Sequence, residues 1–531
     1  MEDAPVLIAG QWRLAQSTGT FQAENPALGE TFGARFPIST WADCDAALSA
    51  AAEAARQMAT LPAERLAAFL DDFAARIEAG RDVIVALAHQ ESALPVKPRL
   101  ADVELPRTTD QLRQAAKAAR EGSWSLPTID SKANIRSLLL PIGPVAIFGP
   151  NNFPLAFNSV SGGDFAAAIA AGNPVIAKAN TSHPGTTALL AEAAFQAVQA
   201  ADLPPATVQL IFRTSHADGE RLVADPRLGA TGYTGSRAAG LALKRAADAA
   251  GKPIYLELSS INPVVILPGA LDERGDKLAE EFAGSCLMGT GQFCTNPGLV
   301  LLVAGAATER FIAGLVERFQ AAPAGTLLSS RVAASLVESF TKLQGAGAKL
   351  LVGGSREAGP RASVANTLLR ASARQFVEHS EALQTEAFGN ASLVVVADNV
   401  DELVAVIEQL EGNLTGAFYT HTGGADDAVA ARLEPALRRR VGRLLNDKMP
   451  TGVAVSSAMN HGGPYPATGH PGFTAVGIPA SLRRFAMLAC YDNVRPHRLP
   501  PALADKNPSG RTWRLIDGAW TTGDVPPKPA A

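Results

Sequence analysis

The residues best suited to chemistry in this sequence are a cysteine and a glutamate. Cys294 lies in the Gly- and Asn-rich stretch 288–298, just before the apolar strand run 299–303. Glu257 lies in the apolar stretch 254–260, which predicts a buried strand. A thiol on a loop can meet a small substrate, and a carboxylate in apolar surroundings can act as a general base. The pair predicts covalent catalysis by a thiol nucleophile.

Each of these residues also has an interpretation without chemistry. A lone cysteine is usually a small buried apolar residue, and a lone glutamate at a strand end is usually solvated. The stretch between Glu257 and Cys294 is long enough for one strand and one helix, which can bring the two side chains together. Their joint occurrence favours the catalytic interpretation.

The composition narrows the class of protein. The chain has 531 residues and a formal net charge of −4, so it lacks the basic footprint of a nucleic-acid-binding protein. Hydrophobic residues make up 47% and charged residues 18%, which indicates extensive burial, including at subunit interfaces. No apolar stretch is suited to spanning a membrane, and no signal peptide is evident. We expect a cytoplasmic protein that binds neither nucleic acid nor membrane.

The cysteines and histidines give no sign of a disulfide framework or a metal site. The four cysteines are few and scattered, which fits a reducing compartment. The eight histidines do not cluster at metal-ligand spacing, and the sequence contains neither CxxC nor HExxH. We therefore predict no metal.

Short apolar runs alternate with helical runs from Gly143 onward. The runs 145–148, 175–178 and 208–212 predict strands. Continuous apolar strands separated by helices indicate a parallel sheet covered on both faces. The predicted class is α/β, with a doubly wound parallel sheet whose ligand crevice lies beyond the carboxyl ends of its strands.

The same pattern divides the chain into four parts. They are a Rossmann-like cofactor domain, an α/β catalytic domain, a small β arm and a C-terminal extension. The cofactor domain is predicted to cover residues 1–130 and 143–256, and the catalytic domain residues 257–455. The β arm is predicted to consist of residues 131–142 and 481–500, and the C-terminal extension of residues 501–531.

The cofactor motif of a plain Rossmann fold, GxGxxG, is missing from the sequence. Small residues mark another strand end at Gly235 and Ser236, where backbone N–H groups can face a pyrophosphate. Lys178 ends a predicted strand, where its ammonium group can bind a ribose hydroxyl or a phosphate. The alternative for Lys178 is an ordinary surface lysine.

Six short motifs follow one another in a fixed order. They are GPNNFP at 149–154, AGNPVIAK at 171–178, YTGS at 233–236, LELSS at 256–260, GTGQFC at 289–294 and EAFG at 386–389. In composition and order these motifs resemble those of the aldehyde dehydrogenase superfamily, and the resemblance extends over nearly the whole chain.

The resemblance implies a catalytic role for three residues. It implies that Cys294 attacks the aldehyde to form a thiohemiacetal, while the Asn152 amide and the Cys294 backbone N–H bind the oxyanion. A hydride then leaves for the nicotinamide. Glu257 activates the water that hydrolyses the resulting thioester, and it is also a candidate to deprotonate Cys294 first. The presence of this base argues against the coenzyme A-acylating branch.

The implied cofactor contacts are spread over four motifs. Glu386 and Phe388 resemble the pair that positions the nicotinamide ribose and ring. Lys178 and Ser236 resemble contacts to the adenosine ribose and the pyrophosphate. The remaining implied contacts are Pro150 and Gly235.

A departure from the family pattern bears on the choice of cofactor. Many NAD-dependent members have a glutamate three residues after the lysine, where this chain has Thr181. A carboxylate there would repel a 2′-phosphate, whereas a hydroxyl beside Lys178 can bind one. Arg213 is either a second phosphate contact or a solvated loop charge. We expect NADP as the cofactor, with NAD tolerated.

Further motifs narrow the branch of the superfamily. They are 152–157, 182–186, 461–468 and 513–518. These motifs resemble the branch that contains 2,5-dioxovalerate (2-oxoglutarate semialdehyde) dehydrogenases and NADP-dependent fatty aldehyde dehydrogenases. The resemblance thus leaves two substrate classes open, of which we favour the semialdehyde.

The two substrate classes need different pockets. A semialdehyde acid needs a cation for its distal carboxylate, and Arg107 and Arg113 lie on a predicted helix of the type that walls the substrate tunnel. Because they are six residues apart, at most one points inward; we assign Arg113 to the site, with a solvated helix face as the alternative. A fatty or aromatic aldehyde would instead contact Phe153, Phe157 and Phe293, whose alternative role is ordinary core packing.

Family members pair their subunits through such β arms, so the resemblance implies a homodimer or a dimer of dimers. Two other classes of protein remain open: a non-catalytic binding protein on the same fold, and a thiol hydrolase. A hydrolase would want a histidine beside the cysteine, and no histidine stands out in the six motifs. The complete set Cys294, Glu257, Asn152 and Lys178 favours the dehydrogenase.

Overall fold

The computed structural model describes residues 3–527 and places their strands in four sheets. Two sheets have seven strands each, one has five and one has three. The predicted α/β class with a doubly wound parallel sheet is confirmed. None of the helices in these residues is long and apolar enough to cross a membrane.

The first seven-stranded sheet positions the cofactor motifs. Its strands, in spatial order, are Ile254–Glu257, Ala230–Thr234, Val145–Phe148, Val175–Lys178, Val208–Ile211, Val6–Ile8 and Gln11–Arg13. The first five are parallel, and the chain winds outward in both directions from Val145–Phe148. The strand order therefore reverses beside Val145–Phe148, which is where a doubly wound sheet opens its ligand crevice.

Helices pack against this sheet and form one apolar core with it. On Ala63–Ala79 the apolar residues recur at helical spacing, and the helix buries Leu66, Phe69, Phe73 and Ile77. The helices of this unit are Trp41–Met58, Ala63–Ala79, Arg81–Ser92, Leu105–Glu121, Gly163–Ala170, Pro184–Ala200, His216–Ala224 and Arg237–Ala249.

The second seven-stranded sheet positions the cysteine loop. Its strands, in spatial order, are Lys349–Val352, Thr367–Ser372, Ala391–Ala397, Leu299–Val303, Pro263–Ile266, Asn413–Tyr419 and Val441–Asn446. All neighbours are parallel except the antiparallel edge strand Lys349–Val352. Leu299–Val303 is apolar at every position because both faces of this strand are covered. The helices of this unit are Pro268–Leu287, Ala306–Ala321, Ser330–Gly345, Ala373–Glu378, Ser380–Leu383, Val400–Gln409 and Asp427–Arg440.

The five-stranded sheet joins distant parts of the chain into the arm. Its strands, in spatial order, are Ala486–Asp492, Ile135–Pro141, Thr128–Asp130, Arg514–Ile516 and Ala519–Thr521. The last two strands come from the C-terminal extension, which pairs in parallel with Thr128–Asp130 and so becomes part of the arm. Arg514 is buried there and donates to the carbonyl oxygens of Ala504 and Gly523.

Shorter elements connect these units. The three-stranded sheet consists of Arg213–Thr214, Glu30–Ser39 and Ser17–Asn25. The short helical segments are Val96–Glu104, Ser123–Ser125, Pro205–Thr207, Met288–Gly291, Ala480–Arg483, Pro496–Arg498 and Pro501–Leu503. Two of them matter for function, because Val96–Glu104 contacts the Asn152 turn and Met288–Gly291 leads into Cys294.

Candidate active site

The Cys294 loop is held in place by a close backbone contact. The turn Met288–Gly291 ends helix Pro268–Leu287 and passes directly beside Gly389. A Cβ on Gly291 would lie 2.0 Å from the Gly389 carbonyl oxygen, and Gly291 has a φ of +67°, so this position requires glycine. Cys294 itself is half-buried, and its carbonyl oxygen accepts a hydrogen bond from Asn262 Nδ2 at 2.9 Å. The packing thus fixes the backbone around the thiol.

Glu257 lies at the carboxyl end of strand Ile254–Glu257, the edge strand of the first sheet. Its side chain is 2% exposed. One carboxylate oxygen, Oε1, lies 3.0 Å from His461 Nε2. The other, Oε2, is buried and has no hydrogen-bond partner among the residues that the structure describes. A buried carboxylate oxygen with a free lone pair is suited to accept a proton.

A histidine that the sequence motifs did not reveal completes the cluster. His461 Nε2 lies 3.2 Å from Cys294 Sγ and 3.0 Å from Glu257 Oε1. Burial opposes a charge on the imidazole, but the Glu257 carboxylate and the Cys294 sulfur outweigh it and raise the pKa of His461 to about 10. No histidine stands out in the six motifs, and the histidine beside the cysteine comes from a segment 167 residues away.

The signal that could have pointed to His461 is the pair of glycines after it. A Cβ on Gly462 would lie 2.1 Å from the Phe473 carbonyl oxygen, and one on Gly463 would lie 2.2 Å from that of Asn413. Such close approach marks a tightly fixed segment. In the sequence, the stretch 461–468 indicates only the branch of the superfamily that the chain resembles.

Glu257, Cys294 and His461 also have the composition of a metal site. One ligand atom from each residue lies within 4.8 Å of the others. The three residues come from distant segments, so the spacing of cysteines and histidines in the sequence does not reveal this group. The absence of a resident metal stays a prediction.

Asn152 lies beside the cysteine loop, where the resemblance places it. It is 6% exposed, and its Nδ2 donates to the Gln292 carbonyl oxygen at 3.0 Å. Its own carbonyl oxygen accepts from the Arg99 guanidinium at 3.0 Å. The amide is therefore an oriented donor, held by a residue that lies two positions before Cys294 in the chain.

A buried ion pair fixes the turn that carries Asn152. Glu104 is fully buried and pairs with Arg99. The second oxygen of Glu104 accepts from the backbone N–H groups of Leu155 at 2.8 Å and Ala156 at 3.0 Å. Since Arg99 also binds the Asn152 carbonyl, the pair holds this turn at both ends.

Three phenylalanines form one aromatic wall next to the thiol. The Phe153 ring centroid lies 5.1 Å from that of Phe157 and 5.6 Å from that of Phe293. The Phe157 ring also lies 6.0 Å from the His461 ring. All three residues that the sequence assigned to the substrate wall are thus brought together.

The assignment of Arg113 to this site is wrong. Arg113 is 44% exposed and forms an ion pair with Glu78, 2.6 Å away, on the outside of the helix Leu105–Glu121. Six residues along an α-helix correspond to about 240° of rotation after full turns are removed, so Arg107 faces the other way. Arg107 is the inward cation.

The Arg107 guanidinium lies against the aromatic wall. It sits 5.1 Å from the Phe157 ring centroid and 5.8 Å from that of Phe153. Its Nη1 donates to the Val453 carbonyl oxygen at 2.9 Å, while its Nη2 is buried without a hydrogen-bond partner in residues 3–527. Burial lowers the pKa of Arg107, and the Cys294 sulfur partly offsets this. Nη2 is therefore the one guanidinium nitrogen of Arg107 without a hydrogen-bond partner in the described residues, since Nε donates to Gln111 Oε1 at 3.3 Å.

At the other end of the crevice, Lys178 closes its strand beside Arg213. Burial and the nearby charge of Arg213 lower the pKa of Lys178 to about 8. Over residues 3–527, no carboxylate forms an ion pair with Lys178. Thr181 is exposed beyond the end of strand Val175–Lys178, and Arg213 is exposed at the start of strand Arg213–Thr214. Lys178 and Arg213 therefore make this end of the crevice electropositive.

The strand end at 233–236 has one fewer free backbone donor than the sequence predicts. The Gly235 N–H donates to the Glu257 carbonyl oxygen at 3.1 Å, so it is not free to face a pyrophosphate. Ser236 is the N-cap residue of helix Arg237–Ala249, and its side chain makes no capping hydrogen bond. The free donors at this end are those of the first helical turn.

The remaining predicted cofactor residues lie around the same crevice. The Pro150 carbonyl oxygen lies 2.9 Å from Nε2 of the buried His183. Glu386 Oε1 accepts from the Ser260 N–H at 3.4 Å, and burial raises the pKa of Glu386 to about 7. Phe388 packs against the core of the first sheet, although it comes from the second unit. The crevice therefore lies between the two α/β units.

The sequence model of the aldehyde dehydrogenase family matches residues 12–463. The chain belongs to the aldehyde dehydrogenase family. It is 38% identical over 524 residues to alpha-ketoglutaric semialdehyde dehydrogenase 2 of Azospirillum brasilense, covering 96% of this chain and 98% of that relative. It is 35% identical over 527 residues to alpha-ketoglutaric semialdehyde dehydrogenase of Acinetobacter baylyi, covering 97% and 98%.

Solved structures agree on the fold of this aldehyde dehydrogenase. The crystal structure of PnpE in complex with nicotinamide adenine dinucleotide has a TM-score of 0.79 to it at 21% identity, covering 94% of this chain and 100% of that chain. Family membership makes the protein an oxidoreductase that acts on aldehydes and uses a nicotinamide cofactor. The predicted family and reaction class are thus confirmed.

Proposed function

We propose that this aldehyde dehydrogenase oxidises a semialdehyde that carries a distal carboxylate, namely 2,5-dioxovalerate, with NADP as the preferred cofactor. The observation that carries the proposal is the buried, unpaired Nη2 of Arg107 beside the aromatic wall. Both relatives named above as alpha-ketoglutaric semialdehyde dehydrogenases cover almost the whole chain, which supports the same substrate.

The catalytic groups divide the reaction between them. Cys294 supplies the nucleophile, and Asn152 supplies an amide donor for the oxyanion that forms when sulfur adds to the aldehyde carbon. A bound nicotinamide nucleotide supplies the acceptor for the hydride. Glu257 then takes a proton from the attacking water through its free Oε2, which hydrolyses the thioester.

Substrate choice follows from the charge on the tunnel wall. A carboxylate can form charge-assisted hydrogen bonds with the unpaired guanidinium nitrogen of Arg107. An unbranched fatty or aromatic aldehyde is the second candidate, since Phe153, Phe157 and Phe293 offer it an apolar wall. Such a substrate would leave the buried guanidinium unpaired, which is costly, so the charged substrate fits better.

The residues at the adenosine end fit a 2′-phosphate. Lys178 is a half-buried cation beside a second cation, Arg213, and within the described chain it has no ion pair with a carboxylate. A phosphate would compensate both charges, and Thr181 adds a hydroxyl donor in place of a repelling carboxylate. The open helix end at Ser236 suits the pyrophosphate, which supports binding of the nucleotide along this crevice.

The arm supports assembly into a homodimer or a dimer of dimers. Strand Ala486–Asp492 lies at the edge of the five-stranded sheet. Its Met487 and Leu488 are 54% and 68% exposed. An edge strand with exposed apolar side chains is a natural place for a second copy to pair. A cytoplasmic location fits the four cysteines, which are all unpaired thiols.

The experiment is a matrix of two cofactors and four aldehydes with purified protein. NAD and NADP are crossed with 2,5-dioxovalerate, succinic semialdehyde, a long-chain aldehyde and benzaldehyde, and formation of reduced cofactor is followed by absorbance. We expect the highest kcat/KM for 2,5-dioxovalerate with NADP. A higher kcat/KM for the long-chain aldehyde or benzaldehyde would reject the carboxylate assignment, and a higher value with NAD would reject the cofactor assignment.

A further inference from the structure

A second arginine, Arg443, lies on the same side of the site as Arg107. It is a half-buried residue of strand Val441–Asn446. Within residues 3–527, no carboxylate forms an ion pair with it. Burial lowers the pKa of Arg443, and the negative charge of the Cys294 sulfur opposes this effect, as it does for Arg107. The Arg443 guanidinium is therefore an uncompensated cation within electrostatic reach of the sulfur.

The loop 450–453 joins the two arginines. Arg443 donates to the carbonyl oxygens of Pro450 at 2.8 Å and Gly452 at 3.2 Å. The last carbonyl oxygen of the loop accepts from Arg107 Nη1 at 2.9 Å. Because one arginine belongs to the first α/β unit and the other to the second, the two cations reach this loop from different units.

The same loop is tied to the residues around the nucleophile. The Gly452 N–H donates to Oγ1 of Thr295, the residue after Cys294, at 3.2 Å. Ser285 Oγ donates to Thr451 Oγ1 at 2.8 Å. The packing thus fixes the loop beside the sulfur, and with it the two guanidinium groups that bind the loop.

Both arginines keep hydrogen-bond donors that the protein does not use. A guanidinium has five N–H groups. The contacts of Arg443 with the loop use three of them, two to Gly452 and one to Pro450, so the other two are available. Arg107 keeps Nη2 without a partner in the described residues. Two cations with unused donors therefore lie beside the substrate wall.

We propose that Arg443 is a specificity-determining residue that donates to the 2-oxo group of the substrate, while Arg107 binds the adjacent carboxylate. The inference rests on the proposed function, because it takes an aldehyde with a distal carboxylate as the substrate. It adds a reason why a 2-oxo acid is preferred to a semialdehyde acid without the ketone.

The oxygens of a 2-oxo acid suit two neighbouring guanidinium groups. In 2,5-dioxovalerate the ketone carbon is bonded directly to the carboxylate carbon, so both kinds of acceptor lie together at the end distal to the aldehyde. A ketone oxygen that is buried without a donor loses its hydration without compensation. A charge-assisted hydrogen bond from Arg443 removes that cost. An analogue without the ketone would instead leave the Arg443 donors unpaired, which is a strong basis for discrimination.

The test is a series of three aldehydes of equal chain length. Pentanal, 5-oxovalerate and 2,5-dioxovalerate differ first by the distal carboxylate and then by the 2-oxo group. Values of kcat/KM are measured for the wild type, Arg443→Met and Arg107→Met, with whichever of NAD and NADP gives the wild type its higher activity. The matched control is Arg439→Met, which removes an exposed arginine at the end of helix Asp427–Arg440.

In the wild type and the Arg439→Met control, we expect kcat/KM for 2,5-dioxovalerate to exceed that for 5-oxovalerate by about tenfold or more. Arg443→Met should remove most of this preference. Arg107→Met should instead lower the ratio of 5-oxovalerate to pentanal. An unchanged preference in Arg443→Met, or an equal loss with all three aldehydes, would overturn the proposal, because the second result is that of a purely structural or general electrostatic role.

A second measurement uses the wild type alone and so avoids any dependence on folded variants. The anions 2-oxovalerate and valerate have the distal end of the substrate but no aldehyde, and each is tested as a competitive inhibitor of pentanal oxidation. The Ki for 2-oxovalerate should be lower by about tenfold or more. Equal Ki values would overturn the proposal.

Failure of this proposal can be distinguished from failure of the proposed function. If 5-oxovalerate has no advantage over pentanal in the wild type, the selection of a distal carboxylate is wrong. The ratio of 2,5-dioxovalerate to 5-oxovalerate compares two substrates with the same carboxylate, so it reports on the 2-oxo group alone.

Discussion

Glu257 binds His461 through Oε1, 3.0 Å from Nε2, and keeps Oε2 buried and without a partner. The carboxylate is therefore both a counter-charge and an available base. This geometry separates hydride transfer from hydrolysis of the thioester, because only hydrolysis needs Oε2. Substitutions at Glu257 and at Cys294 should consequently fail at different stages.

Glu257→Gln should allow one rapid hydride transfer and then slow turnover. The amide can still hydrogen-bond with His461, but it cannot take a proton from water, which typically costs about 10²–10⁴-fold. Rapid mixing should show a burst of about one reduced cofactor per active site, followed by a slow phase. An unchanged steady-state rate would remove Glu257 from its assigned role.

Cys294→Ala should abolish oxidation and leave cofactor binding nearly intact. Without the thiol no thiohemiacetal forms, while Lys178 and the helix end at Ser236 lie at the other end of the crevice. Cys490→Ala is the matched control and should retain full activity, because Cys490 is exposed on the arm. Activity and cofactor affinity, by fluorescence titration, are measured for both variants.

Thr181→Glu should reverse the cofactor preference. A carboxylate placed near Lys178 and Arg213 would neutralise the phosphate site and repel a 2′-phosphate, so the Kd for NADP should rise by about tenfold or more. The Kd for NAD should stay equal or fall. Thr181→Gln, which adds similar bulk without charge, is the control. Equal losses in both variants would indicate a steric effect and count against the phosphate site.

The affinity for NADP should depend on pH through Lys178. Its pKa is lowered to about 8, so the free enzyme loses this positive charge as the pH rises through that value. The charged form binds the phosphate, so the Kd for NADP should be lowest below about pH 8 and rise above it. It should also rise below about pH 6, where a phosphate group takes up its second proton. The Kd for NAD, measured in parallel by titration, should vary much less.

The buried pair of Arg99 and Glu104 should matter for stability more than the exposed pair of Arg113 and Glu78. Glu104→Gln leaves Arg99 buried without its charge partner and should cost about 3–5 kcal/mol in the free energy of unfolding. Arg113→Met removes an exposed pair and should cost at most about 1 kcal/mol. Denaturant unfolding of both variants compares them. Similar small losses would mean that the pair does not hold the Asn152 turn.

Much of the fold, and the site residues Lys178, Glu257 and Cys294, could be predicted from the sequence for a physical reason. Parallel strands carry their functional groups at their carboxyl ends, so Lys178 and Glu257 are marked by the apolar run before each of them. Strands Val145–Phe148 and Val175–Lys178 occur where the sequence predicts them. Cys294 stands out because a thiol is unusual in a loop of small residues.

The residues that sequence reasoning missed depend on long-range packing. His461 is 167 residues from Cys294 and 204 from Glu257, and it lies on an irregular segment with no periodic pattern. Arg107 and Arg113 share one helix, and their spacing alone shows that they face different ways without showing which faces inward. That choice depends on Val453 and Phe157, which only the folded chain brings to Arg107.

The most direct measurement of the central claim is the ratio of kcat/KM for 2,5-dioxovalerate to that for pentanal, in the wild type, Arg107→Met and Arg113→Met. Arg107→Met should lower this ratio by at least about 30-fold, because a buried charge pair is typically worth about 2–5 kcal/mol. Activity with pentanal should change little, and Arg113→Met should behave like the wild type. An unchanged ratio in Arg107→Met, or an equal fall in Arg113→Met, would contradict the claim that Arg107 selects a carboxylate-bearing aldehyde.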